Sequence, residues 1–185
     1  MKVYKNSELN LRRAVIAIGV FDGMHRGHQA LIKQAVKRAY QLGVPSVVYT
    51  FNPPPRAFFQ QKRVLTAVDD KLELIKQLGI DYVIVADFNE VYAARPAAAF
   101  ITELHELGAE EIFVGPNFHF GKGKTGNTGM LSRHFPVKIQ PYVTCQNGEV
   151  ISSTRVRELL QKEEWKQVHH LLGRHRLETL IFELI

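Results

Sequence analysis

Cysteine is all but missing: Cys145 is the only one in 185 residues. That excludes an internal disulfide framework and a multi-cysteine zinc site. No long hydrophobic run occurs either. The longest, Ala14 to Phe21, is far shorter than the roughly 20 residues a membrane-spanning helix needs. Met1 to Glu8 hold no apolar stretch of signal-peptide length. Repeats, low-complexity tracts and linker-like segments are absent as well. The expectation is a cytoplasmic protein of one domain, 1–185, with no membrane partner. With 45% hydrophobic residues the chain can fill a core.

Charge is uneven along the chain. Lys and Arg number 24 against 18 Asp and Glu, for a net charge of +6. Residues 1–50 and 111–185 are basic, whereas 51–110 are acidic. Positive charge of this kind attracts polyanions without saying which. A Lys/Arg stripe interleaved with aromatics is lacking, so no nucleic-acid partner is expected. An RNA-binding module driven by basic charge stays as an alternative. The oligomeric state is not written in the pattern.

What is present is alternation. Arg13–Val20, Ser46–Phe51, Asp81–Ala86 and Glu111–Val114 are short β-branched runs of the buried-strand kind. Between them, Gln29–Leu42, a run from Thr66 to Gly79 and one from Pro96 to Gly108 show helical spacing. Val137–Thr144 and Val150-Ile151 read as strands joined through Asn147-Gly148, a hairpin turn. Two short helices follow, from about Thr154 and about Glu163. Alternating strands and helices predict an α/β fold, a doubly wound parallel sheet with a small antiparallel hairpin near the C-terminal part. In such folds ligands bind beyond the carboxyl ends of the strands. The polar turns Phe21–His28, Asn52–Arg56 and Pro116–Asn127 should therefore gather on one edge.

Three clusters carry chemistry. In Gly19-Val20-Phe21-Asp22-Gly23-Met24-His25-Arg26-Gly27-His28, a buried strand gives way to a helix. Free N–H groups and the positive helix end make that place suited to phosphate. His25 and His28 fall on similar sides of the first turn and can donate hydrogen bonds as charge builds on a phosphoryl group. Asp22 could orient a histidine or hold a metal ion. Solvated histidines at a helix start are the plainer reading. A zinc site would need a third ligand that the sequence does not place, so no metal ligands are assigned. The second cluster, Ile151-Ser152-Ser153-Thr154-Arg155-Val156-Arg157-Glu158, places three hydroxyls before a helix with arginines just inside it. One hydroxyl is needed as N-cap. Arg155 at the positive helix end calls for an anion nearby. The third, Gly115 to Asn127, is rich in glycine and lysine and lacks P-loop spacing; it reads equally as a flexible surface loop.

Gly19 to His28 resembles the G-x-F-D-G-x-H-x-G-H signature of bacterial FAD synthetases, in their FMN adenylyltransferase module. Ile151 to Arg157 is similar to the family's I-S-S-T-x-[IV]-R segment, Val114 to Gly121 to its V-G-x-[DN]-F-x-F-G segment, and Leu171 to Arg174 to its L-L-G-R. The resemblance covers nearly the whole chain. It implies a Rossmann-like sheet of the nucleotidylyltransferase type and transfer of AMP from ATP to FMN, giving FAD and pyrophosphate, with Mg²⁺ accompanying ATP. It implies His25, His28 and Arg155 as catalytic residues. Gly19, Phe21, Asp22, Gly27, His28, Ser152, Ser153, Thr154 and Arg155 would bind ATP. Asn52, Arg56, Asn117 and Phe118 would bind FMN. Other nucleotidyltransferase acceptors, and a non-catalytic paralogue, are the rival readings. Two departures stand out. Phe51-Asn52-Pro53-Pro54-Pro55 has Pro54 where the family has histidine in F-x-P-H-P. The riboflavin kinase domain that follows in most members is not expected here, because the sequence stops at Ile185.

Overall fold

The computed structural model describes residues 1–5, 8–61 and 63–174. Its centre is β2 (Ala14–Ile18), whose five residues are all buried because helices cover both faces of the sheet. After a tight turn comes α1 (Arg26–Leu42), then β3 (Ser46–Asn52). Next are α2 (Pro55–Gln60), α3 (Val68–Lys76), β4 (Tyr82–Asp87) and α4 (Glu90–Ala93). Helix α5 (Ala97–Glu106) leads into β5 (Ala109–Val114). With β1 (Lys2–Lys5) and β8 (Val137–Ile139) at the margins, the sheet runs β1-β4-β3-β2-β5-β8, every pairing parallel.

Chain order reverses between β2 and β5. From β2 the chain winds through β3 to β4 on one side, then returns to β5 on the other. This switch point opens a crevice at the carboxyl ends of the central strands. One core, around Ile75, Ile32 and Val83, lies under α1 and α3. Another, around Phe100, Leu104 and Tyr49, lies under α5. A third joins α7 (Ser153–Gln161) and α8 (Trp165–Leu172) through Val156, Val168 and Leu171.

The doubly wound sheet is as expected; several details differ. β1 is a short edge strand with a lysine at each end and little apolar signal. Val137–Ile139 does not form half of a hairpin but pairs parallel to β5. The Asn147-Gly148 turn is present with one antiparallel bridge, Thr144 to Val150. A second antiparallel pair, β6 (His119–Phe120) with β7 (Gly126–Asn127), lies inside the glycine-rich segment. That segment is therefore built, not merely a loop; a 3-10 turn at Lys122–Lys124 and α6 (Thr128–Leu131) complete it. Pro96 caps α5 instead of starting it, a shift of one residue at the boundary.

Candidate active site

The end of β2 turns sharply. Phe21 and Met24 take left-handed backbone angles, φ 53° and 44°, which cost energy for such side chains. Their burial offsets this: each is 1% exposed in the core beneath α1. A Cβ on Gly19 would stand 2.8 Å from the Phe21 ring, so the first position of the turn admits only glycine.

His25 ends the turn as the N-cap of α1, its Nδ1 accepting from His28 N–H at 3.4 Å. That bond leaves the ring proton on Nε2, free to donate. The His28 ring stacks on His25, centroids 3.6 Å apart, with the Phe21 edge against it. His28 Nδ1 is buried and has no hydrogen-bond partner. Burial lowers the His25 pKa to about 4. Burial, then the charges of His25 and Lys71, hold His28 well below the usual value. Both imidazoles are neutral at pH 7 and remain hydrogen-bond donors.

Both depressed values link acid to stability. The unfolded chain binds protons near pH 6.5 where the folded chain does not, so the stability held above that pH is lost as pH falls toward 4. For His25 this amounts to about 3 kcal/mol. His25→Asn should flatten that limb in a series of thermal unfolding curves between pH 7 and 4. An unchanged limb would show that His25 is not the titrating group.

Asp22 binds three segments together. Its Oδ1 accepts from the N–H groups of Leu65 (2.8 Å) and Thr66 (3.3 Å). Its Oδ2 pairs with Arg157 Nη2, and its carbonyl accepts from the Ser153 hydroxyl at 2.7 Å. Burial pushes the Asp22 pKa up, while Arg157 and the two N–H groups pull it down. The carboxylate is committed inside the fold: it faces neither histidine nor an open metal site, contrary to the roles considered for it.

The second cluster comes to the first, as expected. Ser153 touches Asp22, and the Ile151 carbonyl lies 3.8 Å from where a Gly27 Cβ would sit. Ser152 caps α7 by accepting from Arg155 N–H at 3.2 Å. Thr154 Oγ1 accepts from Arg56 Nη1 at 3.1 Å. All three hydroxyls therefore have partners within the protein. Arg155 points elsewhere: its Nη1 donates to Cys145 Sγ at 3.2 Å and its Nη2 pairs with Glu149. The anion that a cation at this helix end called for is Glu149. The Arg155 hydrogen bond also lowers the Cys145 pKa.

Beside this corner opens a cavity of about 770 Å³, within the range of small-molecule and cofactor sites. Phe51, Phe88, Tyr92, Phe100, Phe118 and Phe120 supply aromatic walls, and Gly19 and Val20 line the side toward β2. Of the residues expected at FMN, Arg56, Asn117 and Phe118 line it; Asn52 does not. Instead, the Asn52 carbonyl accepts from Phe88 N–H at 3.0 Å, and the residue is exposed. Pro54, in the place of the family histidine, caps α2, its carbonyl accepting from Ala57 and Phe58 N–H groups at 2.8 and 3.1 Å.

Lys71 was missed. It lies on α3, 2% exposed, with Nζ donating to Phe51 O at 3.0 Å, Thr50 Oγ1 at 3.3 Å and Val20 O at 3.4 Å. Burial lowers its pKa to about 8, while Asp22 pulls it up. A positive charge thus sits beneath the seam between the histidine turn and the aromatic cavity.

A parallel switch-point sheet, a histidine-capped helix start and an adjoining hydroxyl-rich helix define an α/β nucleotidyltransferase-like protein. A family model described as FAD synthetase matches residues 7–155. The chain belongs to the FAD synthetase family. A relative from Geobacillus thermodenitrificans, provisionally named a bifunctional riboflavin kinase/FMN adenylyltransferase, is 51% identical over 94% of this chain and 97% of its own length. A bifunctional riboflavin kinase/FMN adenylyltransferase from Escherichia coli K12 is 32% identical, over 92% of this chain and 58% of its own length. The chain thus spans little more than half of that relative. A solved structure described as a macrolide-efflux protein from Streptococcus pneumoniae shares the fold at TM-score 0.82 and 28% identity, covering 92% of this chain and 60% of that one. Among the described residues, no helix is long and apolar enough to cross a membrane.

Proposed function

We propose that the protein is an FMN adenylyltransferase: ATP and FMN give FAD and pyrophosphate. An oxygen of the FMN phosphate attacks the α-phosphorus of ATP, the bond to the β-phosphate oxygen breaks, and pyrophosphate leaves. The nucleophile is already anionic, so positioning and charge stabilisation carry the catalysis, with no strong general base required. The neutral N–H groups of His25 and His28 serve the ATP phosphates. Gly19, Phe21 and Gly27 shape the turn that admits them, and Asp22 holds that turn in place. Ser153 and Thr154 lie beside the phosphate path, and Ser152 keeps the α7 N-terminus open toward it. Arg155 reaches the phosphates only by leaving Glu149.

The flavin ring occupies the aromatic cavity, against Phe118 and near Asn117. One observation carries the reading above others: Arg56 lines that cavity while its guanidinium reaches Thr154. A cation at the seam of the two half-sites is where the FMN phosphate must meet the ATP α-phosphorus. The residues present do not offer a metal cage. Among those described, no group of three His, Cys, Asp or Glu side chains is placed to hold an ion, and the Asp22 carboxylate is engaged. Mg²⁺ in this proposal arrives on the triphosphate. The reading needs neither nucleic acid nor membrane, and it suits a cytoplasmic protein. The riboflavin kinase activity in the relatives' names forms no part of it.

Arg56→Ala tests the seam. Losing a charge-assisted contact to phosphate should weaken FMN about tenfold or more and leave riboflavin, which lacks the phosphate, unchanged. Flavin fluorescence titrations measure both. Equal affinities of the variant and the wild type for FMN would place the phosphate elsewhere.

A further inference from the structure

Behind the aromatic cavity lies a closed polar network that the transfer of AMP does not call for. Glu103, on α5 and 5% exposed, holds it. One carboxylate oxygen, Oε1, accepts from the Tyr49 hydroxyl at 2.7 Å; the other, Oε2, accepts from Arg95 Nη2 at 2.7 Å. The Tyr49 and Tyr92 hydroxyls are 3.0 Å apart. Tyr49 has one hydroxyl proton and gives it to Glu103, so Tyr92 donates to Tyr49. Burial pushes the Tyr49 pKa above its ordinary range and that of Tyr92 up to about 12, so both phenols stay protonated donors. The Arg95 guanidinium closes the ring, lying 4.9 Å above the Tyr92 ring centroid.

Two of the four members, Tyr92 and Arg95, line the cavity; the other two are buried behind it. Burying the Glu103 carboxylate and the Tyr49 phenol, with the Arg95 guanidinium and the Tyr92 phenol half-buried beside them, costs desolvation that apolar side chains would avoid. Such a network favours one geometry: Tyr49 and Arg95 both donate to the Glu103 carboxylate, and Arg95 Nη2 also lies 3.4 Å from the Ala99 carbonyl. The fixed segment also reaches further: the Arg95 carbonyl accepts from Lys122 N–H at 2.8 Å, at the start of the turn that follows Phe118 and Phe120. Arg95 thus joins the Glu103 network to the start of that turn.

We propose that Glu103 is a positioning residue for the flavin ring, acting through Arg95 and the Tyr49–Tyr92 pair to set one wall of the cavity. The inference rests on the flavin reading of the cavity. It makes a distinction that plain stability does not: ring affinity depends on Glu103, while the triphosphate corner, built from β2, α1 and α7, does not. Glu103→Gln keeps the shape and removes the ion pair. The wild type, Glu103→Gln and Tyr92→Phe are titrated with FMN, riboflavin and the non-hydrolysable α,β-methylene analogue of ATP. Glu103→Gln should weaken FMN and riboflavin by the same factor, about tenfold, and leave the ATP analogue within about twofold. Tyr92→Phe, which keeps the ring and cuts only the hydroxyl link, should weaken both flavins a few-fold in the same pattern; it reads the network even if Glu103→Gln folds poorly. Unchanged flavin affinity in both variants, or a parallel loss of flavin and ATP analogue, overturns the inference. A wild type that binds the ATP analogue but neither flavin overturns the flavin reading itself, and this inference with it.

Discussion

His28→Ala should lower kcat by about 10²–10³ while the variant stays folded. The size follows from where the ring stands. It is stacked on the imidazole that caps α1, at the positive end of the longest helix in the described residues. Burial, His25 and Lys71 keep it neutral, so it reaches the reaction with its N–H in hand and no charge to neutralise. A donor of this kind contributes as negative charge grows on the phosphoryl oxygens, so its loss falls on kcat more than on the KM for ATP. His28→Gln retains an N–H donor and should recover part of the rate. Steady-state kinetics with matched unfolding curves separate the chemical effect from a folding one. A His28→Ala variant with near-normal turnover would remove the histidine pair from the mechanism.

Asp22→Ala should destabilise the protein by about 3–5 kcal/mol, or roughly 8–15 °C in Tm for a chain of this size. The substitution leaves the Arg157 guanidinium without its partner and the Leu65 and Thr66 N–H groups unpaired in the interior. Asp22→Asn keeps an acceptor and should lose about half as much. Because the same carboxylate fastens the histidine turn to α7 and to the segment before α3, Asp22→Ala should also weaken ATP binding. A metal role makes the opposite forecast: unchanged Tm, with a loss of activity that high Mg²⁺ restores. Differential scanning calorimetry with a Mg²⁺ titration of activity decides between them.

The sheet was readable because its inner strands are continuous β-branched runs, Ala14–Ile18 and Tyr82–Ala86 among them, with helical spacing between. β1 was not, because a short edge bounded by lysines carries no periodicity; β8 was legible as a strand from Val137, but its parallel pairing with β5 was not. At the site, the His25–His28 turn and the hydroxyl trio were legible from type and spacing, and their meeting was implied by the family resemblance. What the hydroxyls and Arg155 touch was not legible. Glu149 looks like an ordinary turn residue until the backbone reverses at Gly148, and only then does it face Arg155. Lys71 sits among Asp69, Asp70 and Glu73 like any solvent-facing charge, but its position on α3 directs it inward beneath the ends of β2 and β3. The aromatic walls were missed for a related reason. Phe100 reads as the apolar face of a helix, and Phe88 and Tyr92 carry no pattern of their own; that all three lie between the carboxyl end of β4 and the start of β5 was the signal available. The expected single domain extends over residues 175–185, which lie outside the described residues.

The most direct measurement is product formation in a single mixture of the protein, ATP, Mg²⁺ and FMN, with FAD resolved by chromatography and pyrophosphate measured in parallel. The account predicts FAD and pyrophosphate in equal amounts, with neither formed when riboflavin replaces FMN. Flavin bound without pyrophosphate released, or pyrophosphate released with an acceptor other than FMN, would contradict it.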